Sequence, residues 1–103
     1  MAITVKTNSP SSLLSSIKRA IDNQKITTWR YDSGGDSRHS PEQWDGQGYL
    51  KPSVGINELT LAFNSLNPKV STKIVSAVYQ GRFIEMLANH FESDYTSIEV
   101  VTP

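Results

Sequence analysis

The sequence predicts an α+β fold, with two helices on one face of a mainly antiparallel sheet of four to five strands, in the order β-α-β-β-β-α-β. Two segments repeat their apolar residues at three- and four-residue spacing, so each should form a helix with one apolar stripe. The other segments mostly alternate apolar and polar residues, which is typical of strands with one buried face. The helices should therefore cover one sheet face and leave the other solvated or covered by a partner.

Size and composition limit the possible classes of protein. The 103 residues match one ordinary domain, so we expect a single domain over residues 1–103. Ten basic and ten acidic residues cancel, whereas a dedicated nucleic-acid binder normally has a basic excess. The chain has no cysteine, which excludes disulfides, thiolate metal sites and cysteine catalysis. No stretch approaches the roughly 18 apolar residues of a membrane span, and we expect a soluble, cytoplasmic protein.

The first half of the chain begins with a strand at residues 2–7. Ser9 can cap the following helix and Pro10 suits its first position, because a missing N–H costs nothing there. This helix ends near Asn23. Residues 25–31, which are β-branched and aromatic, predict a second strand. The apolar stripe of the helix consists of Leu13, Leu14, Ile17, Ala20 and Ile21.

Residues 31–44 predict a long loop rich in charged and polar side chains, and such loops tend to be functional. Ser40 and Pro41, with Gln43 at the capping-box position, predict a helical turn that fixes Trp44. Trp44 either holds the loop against the domain or meets a ligand. Trp29 and Tyr31 should share one face of the second strand, as core residues or as an exposed aromatic patch.

The second half begins with residues 48–53, a short strand that Pro52 should place at a sheet edge. A tight hairpin at 54–57 then leads into the clearly alternating residues 58–64. The strongest periodic segment, residues 71–91, predicts a long helix. Gly81 within it suggests that something packs closely there, because glycine costs about 1 kcal/mol in a helix.

Residues 95–101 predict a last strand. Strands at both chain ends, each joined to its neighbour through a helix, suit a split βαβ arrangement with the terminal strands near the middle of the sheet.

His39 lies near acidic and basic residues, and is the centre of the one acid–base cluster that the sequence offers. Catalysis would need a carboxylate at hydrogen-bond distance and a cleft, and closeness in sequence establishes neither. We therefore expect His39 to be an exposed loop residue, and His90 to pack on the apolar stripe of the long helix. The possible partners of His39 are Asp36, Arg38 and Glu42.

No metal, cofactor or catalytic residue is predicted. Residues 32–36 alternate oxygen ligands with glycines, but they lack the spacing of a calcium loop. A site built from His39 and His90 would need two more ligands that no spacing proposes. The candidate binding residues all belong to the 31–44 loop: Tyr31, Asp32, Asp36, Arg38, His39 and Trp44.

The order helix, three-stranded meander, helix, with Lys69 and Lys73 at the start of the second helix, is similar to the layout of a double-stranded-RNA-binding domain. The resemblance implies that these lysines would contact backbone phosphates. Because the charges balance, we rank RNA binding third among the possible functions.

The sequence favours a small binding module that acts through protein–protein contacts, in a regulatory, adaptor or toxin-neutralising role. We expect a protein partner, no nucleic acid and no membrane, and the oligomeric state stays open. The predicted surface is the 31–44 loop with the open sheet face. The alternative is a small-ligand binder or enzyme that uses residues 32–39.

Overall fold

The computed structural model describes residues 1–101 and contains one antiparallel sheet of six strands, with two helices. The predicted α+β architecture is confirmed, although the sheet has six strands rather than four to five. The strand order is β2-β3-β4-β5-β1-β6. In chain order the elements are β1 (Ala2–Lys6), α1 (Pro10–Asp22), β2 (Trp29–Tyr31), β3 (Ser37–His39), β4 (Gly48–Gly55), β5 (Glu58–Ser65), α2 (Thr72–His90), a 3-10 turn (Glu92–Asp94) and β6 (Ser97–Val101).

The additional strand, β3, lies inside the segment predicted as a continuous loop. It forms a hairpin with β2, in which Trp29 pairs with His39, and it reaches β4 where Ser37 pairs with Leu50. Four strands therefore separate the helices, not the three of the predicted meander. Hydropathy could not reveal β3, because Ser37 and His39 alternate as buried residues with Arg38 although none of the three is apolar.

The predicted second strand is shorter than expected, because residues 25–28 form the connection between α1 and the strand. Gln24 has a φ of 60°, the left-handed conformation that often ends a helix. The amide N–H groups of Lys25 and Ile26 then donate to the Ala20 carbonyl oxygen at 2.9 and 3.2 Å. The strand begins only at Trp29.

The split βαβ arrangement is formed by β5, α2 and β6. Both strands pair antiparallel with β1 between them, so they run parallel to each other. The prediction that both terminal strands lie near the middle is wrong for β6. Since β1 already has β5 on its other side, β6 can only extend the sheet at its edge.

Pro52 does not place its strand at a sheet edge, because β4 lies between β3 and β5. The three-residue β3 pairs with β4 only at Leu50. Pro52 lies beyond that pairing, where β5 is the remaining neighbour. The part of β4 that contains Pro52 therefore has a paired strand on one side only, as at a sheet edge.

Both helices cover the sheet face that carries the apolar side chains. Leu13 and Ile17 of α1 and Phe83 and Leu87 of α2 are buried, as the periodicity predicted. The opposite face is polar, with an ion pair of 2.8 Å between Lys6 Nζ and a Glu58 carboxylate oxygen. The core cluster consists of Ile3, Val5, Leu13, Ile17, Ile26, Trp29, Leu50, Leu59, Leu61, Phe63, Val75, Tyr79, Phe83, Met86, Leu87 and Phe91.

The helix α2 departs from its predicted burial at several positions. Ile74 is 62% exposed and His90 is also exposed, so His90 is not the packed residue that we expected. Ser76 and Gln80 are buried instead. Apart from its two neighbours and the surrounding helix backbone, a Cβ added to Gly81 would have no atom of residues 1–101 within 4 Å, so the close neighbour predicted there does not come from these residues.

Gly48, not Gly81, is a glycine that close packing requires. A Cβ on Gly48 would lie 2.5 Å from the Phe63 ring and 2.7 Å from the Asn64 carbonyl oxygen. Within residues 1–101, neither helix is both long and apolar enough to cross a membrane.

Candidate functional site: the groove beside His39 and Trp44

The fold separates the six candidate binding residues into two groups. Tyr31, Asp32, Asp36 and Arg38 lie in the β2–β3 hairpin, where they mainly bind one another and α1. His39 and Trp44 line a groove on the side of the sheet that the helices cover. Of the six side chains, only those of His39 and Trp44 line the groove.

Asp32 organises the hairpin turn. One of its carboxylate oxygens accepts from the amide N–H groups of Gly34 and Asp36, both at 3.0 Å, and the other accepts from Arg38 Nε at 3.0 Å. Partial burial opposes ionisation, but these hydrogen bonds outweigh it and hold the pKa of the Asp32 carboxyl below its ordinary value. With Gly35 at a φ of 87°, the segment is a stable turn that needs no metal.

Tyr31 and Arg38 also use their polar groups within the chain. The Tyr31 hydroxyl donates to Asp22 Oδ1 at 2.7 Å, and Lys18 Nζ lies 5.5 Å from the centre of the tyrosine ring. The hydrogen bond to Asp22 raises the pKa of the Tyr31 hydroxyl. The Arg38 guanidinium lies 5.1 Å from the centre of the Tyr49 ring. These contacts tie the hairpin to α1 and to β4.

His39 is only 3% exposed, so the prediction of an exposed loop histidine is wrong. Its position in β3 places the ring between Trp29 and Tyr79, with ring centres at 4.6 and 5.7 Å. His39 Nδ1 lies 2.9 Å from the Thr28 carbonyl oxygen, which also accepts from the Ser40 amide at 2.8 Å. A carbonyl only accepts, so Nδ1 carries the proton, and in neutral His39 the lone pair is on Nε2.

The candidate acid–base cluster around His39, which was suggested only by closeness in sequence, does not form. Successive strand residues point to opposite faces, so Arg38 faces away from the ring. Within residues 1–101, His39 has no hydrogen bond to Asp36 or Glu42. The charged side chains near it come from α2.

Burial is the largest influence on the ionisation of His39 and lowers its pKa from the ordinary value of 6.5. The Thr28 carbonyl favours the protonated ring, Arg82 opposes it, and Glu85 favours it again. The net effect keeps the imidazole neutral near pH 7. His39 therefore offers Nε2 as a hydrogen-bond acceptor or base.

Trp44 is half-buried and is fixed through its backbone. The amide N–H groups of Trp44 and Asp45 donate to the Pro41 carbonyl oxygen, both at 2.9 Å. The Tyr79 hydroxyl of α2 donates to the Trp44 carbonyl oxygen. On the far side of the turn, Arg30 and Asp45 form an ion pair of 2.9 Å. The predicted turn thus holds the indole at a defined place beside α2.

A groove of about 480 Å³ lies between this turn and the C-terminal half of α2. Residues 25–29 form its other wall, and His39 lines it together with Trp44. The side-chain nitrogens and oxygens of residues 1–101 that are buried without a hydrogen-bond partner do not include His39 Nε2. Since Nε2 has no partner within those residues, it reaches solvent, and the groove is where His39 meets solvent.

The charged side chains of the groove are Lys25, Arg82 and Glu85, with His90 at its end. Arg82 Nη1 lies 3.3 Å from a Glu85 carboxylate oxygen. Lys25 forms no ion pair within residues 1–101. Basic groups thus exceed acidic ones here, although the whole chain is neutral.

Sequence reasoning missed the contribution of α2 to this groove. Arg82, Met86 and Asn89 recur at three- and four-residue spacing and so share one flank of the helix. That spacing was visible in the sequence, but nothing local connected it with His39. The described residues contain no group of three or more metal-ligating side chains.

Comparison of the chain with protein-family models, with curated proteins and with solved structures gives no match.

Proposed function

We propose that this protein is a protein-binding module whose partner places a short acidic segment in the groove beside His39 and Trp44. The observation that carries the proposal is the fixed His39 ring. Its Nδ1–H is held by Thr28, which leaves Nε2 available to a hydrogen-bond donor from outside the chain. A half-buried tryptophan at the rim, next to an arginine, is the kind of residue pair on which interface energy concentrates.

The charge of the groove supports an acidic segment. Lys25 has no intramolecular ion pair in residues 1–101. Arg82 forms an ion pair with one carboxylate, that of Glu85. A carboxylate from the partner would meet Lys25 and Arg82, while a hydroxyl or amide N–H would donate to His39. Regulatory, adaptor and toxin-neutralising roles all fit such a module, and the cytoplasm is the location we propose for it.

The proposal moves the binding surface away from the open sheet face and from the hairpin. Tyr31, Asp32 and Arg38 are engaged within the chain, so they support the hairpin rather than a partner. Only His39 and Trp44 of the six predicted residues belong to the proposed surface.

A second candidate function is the binding of a small anionic molecule in the same groove. The volume of about 480 Å³ falls within the roughly 300–1,000 Å³ of small-ligand sites. The same basic groups would bind its charge, and a hydroxyl or N–H group of the molecule would donate to His39 Nε2.

The test is affinity capture from cells of the source organism, with quantitative mass spectrometry. The groove variant is Lys25→Glu with Arg82→Glu. The control, Arg19→Glu with Lys51→Glu, makes the same change of charge at exposed sites away from the groove. We expect the wild type and the control to capture a partner protein that the groove variant does not capture. Calorimetry with the purified partner should then show weaker binding by the groove variant than by the wild type and the control, and both results together support the proposal. A partner that binds both variants equally overturns it. Recovery of no protein, with binding of a small anion instead, favours the second candidate.

A further inference from the structure

The helix α2 has apolar side chains on the face opposite the core as well as on the buried face. Its outer stripe, which we define as Ile74, Ala77, Gly81, Glu85 and Ala88, follows the three- and four-residue spacing of a single helix face. All five residues are exposed. Four of the five residues are small or apolar and the fifth, Glu85, is charged. The face is therefore less polar than the solvent side of a typical surface helix.

Gly81 stands at the centre of the outer stripe. It costs about 1 kcal/mol relative to alanine in a helix interior. Apart from its two neighbours and the surrounding helix backbone, no atom of residues 1–101 comes within 4 Å of its missing Cβ. The absence of a side chain therefore serves no contact inside the chain. It does leave room for a second helix to approach the α2 backbone closely.

Charge is distributed unequally along α2 and its flanks. Lys69 and Lys73 lie at the N-terminal end, whereas Glu92 and Asp94 lie in the 3-10 turn just after the C-terminal end. All four side chains are on exposed residues, and none forms an ion pair within residues 1–101. A helix of the same sequence in the opposite direction would bring basic ends to acidic ends.

We propose that two copies of this chain associate through antiparallel α2 helices that cross at Gly81. In this arrangement Ile74 faces Ala88 of the second copy, and Ala77 faces Glu85 of the second copy. Large side chains thus meet small ones, which is how closely packed helices interdigitate. A two-fold axis at Gly81 repeats each contact, as a closed dimer requires.

The ends of the helices supply charge complementarity to the same arrangement. Lys69 of one copy lies opposite the 3-10 turn of the other, which carries Glu92 and Asp94. Lys73 approaches Glu85 of the second copy, one helical turn away from Ala77. Both ends of the interface are therefore attractive, and a parallel arrangement would place lysines against lysines.

Trp44 lies at the edge of the proposed dimer interface. Two depressions of about 330 Å³ each flank it, one beside Val70 and Ile74 and the other beside Ala77 and Gly81. Side chains of the second copy would fill them. The inference goes beyond the proposed function, because it concerns a second copy of this chain. Trp44 and Glu85 also line the groove beside His39, so the second copy and the proposed partner would compete for these two residues.

Sedimentation equilibrium of the purified full chain tests the dimer directly. We expect reversible dimers, and a weakening of at least about tenfold for Gly81→Gln, which places a side chain at the crossing. The same substitution should raise thermal stability at low protein concentration, because glutamine is the better helix former. Ile56→Glu, at a 93% exposed position in the β4–β5 turn, is the control and should leave association unchanged. A wild type that stays monomeric at millimolar concentration, or a Gly81→Gln variant that dimerises like the wild type, overturns the inference.

Charge reversal tests the direction of the helices. One variant carries Lys69→Glu with Lys73→Glu, and the other carries Glu92→Lys with Asp94→Lys. Each should dimerise poorly alone, because like charges then face each other. An equimolar mixture should recover association as a heterodimer, and this recovery should weaken with added salt. If the mixture associates no better than its components, the antiparallel arrangement is wrong.

Discussion

The Tyr79 hydroxyl in α2 donates a hydrogen bond to the carbonyl oxygen of Trp44, 35 positions earlier in the chain. Tyr79 is fully buried, and its ring lies among Trp29, His39 and Phe63. One hydroxyl group thus connects the core to the turn that presents Trp44. The core and the candidate site share a residue, so the site depends on the packing of α2.

Tyr79→Phe should lower the free energy of unfolding by about 0.5–1.5 kcal/mol, because it removes one hydrogen bond to the Trp44 carbonyl oxygen. This oxygen keeps its second donor, the Gln47 amide N–H at 3.2 Å. Urea denaturation measures the loss. Tyr95→Phe is the matched control, since Tyr95 makes no side-chain hydrogen bond within residues 1–101 and should change stability little. Equal losses for the two variants would show that the Trp44 contact contributes nothing.

Phe83→Ala should cost roughly 3–5 kcal/mol, from lost burial and from the cavity left behind. Phe83 is 1% exposed and meets the Trp29 ring edge-on at 5.2 Å. Ile74→Ala on the same helix should cost far less, because Ile74 is 62% exposed. Chemical denaturation at low protein concentration gives both values. A loss below about 1 kcal/mol for Phe83→Ala would contradict the assignment of the buried face.

The helices could be predicted because their apolar residues recur at helical spacing, as Phe83 and Leu87 do in α2. The strand β3 could not, since Ser37 and His39 are buried without being apolar. Their burial follows from pairing with β2 and β4 and from the helix that covers them. The three-residue sequence of β3 does not reveal these contacts. Local propensity yields to tertiary packing at such positions.

Only part of the candidate site could be predicted from the sequence, because the site also depends on tertiary packing. His39 and Trp44 were visible as a histidine and a tryptophan in a polar segment. Their neighbours Arg82 and Glu85 lie far along the chain, and only the folded arrangement brings α2 beside the turn. Sequence proximity instead suggested Asp36 and Arg38, which strand alternation and the hairpin turn direct elsewhere.

Protonation of His39 should make stability depend on pH. Burial lowers its folded-state pKa below the ordinary 6.5, so the unfolded chain takes up the proton more readily than the folded one. The stability from neutral His39 is therefore complete above about pH 6.5 and falls as the pH drops towards the folded-state pKa. Denaturation between about pH 5 and pH 8 should show this slope. His39→Gln should remove it and His90→Gln, at an exposed position, should keep it. The same slope in wild type and His39→Gln would contradict the burial of a neutral imidazole.

Trp44 and Arg38 should differ in what their replacement changes. Trp44→Ala removes the rim of the groove and part of its packing against the core, so both partner binding and stability should fall. Arg38→Ala breaks an ion pair of 3.0 Å with Asp32 on the hairpin. It should cost no more than about 1 kcal/mol, because the pair is near the surface, and it should leave partner binding intact. Thermal melting and calorimetry with the captured partner measure the two effects for each variant. If Arg38→Ala lost partner binding while Trp44→Ala kept it, the partner would bind the hairpin and not the groove.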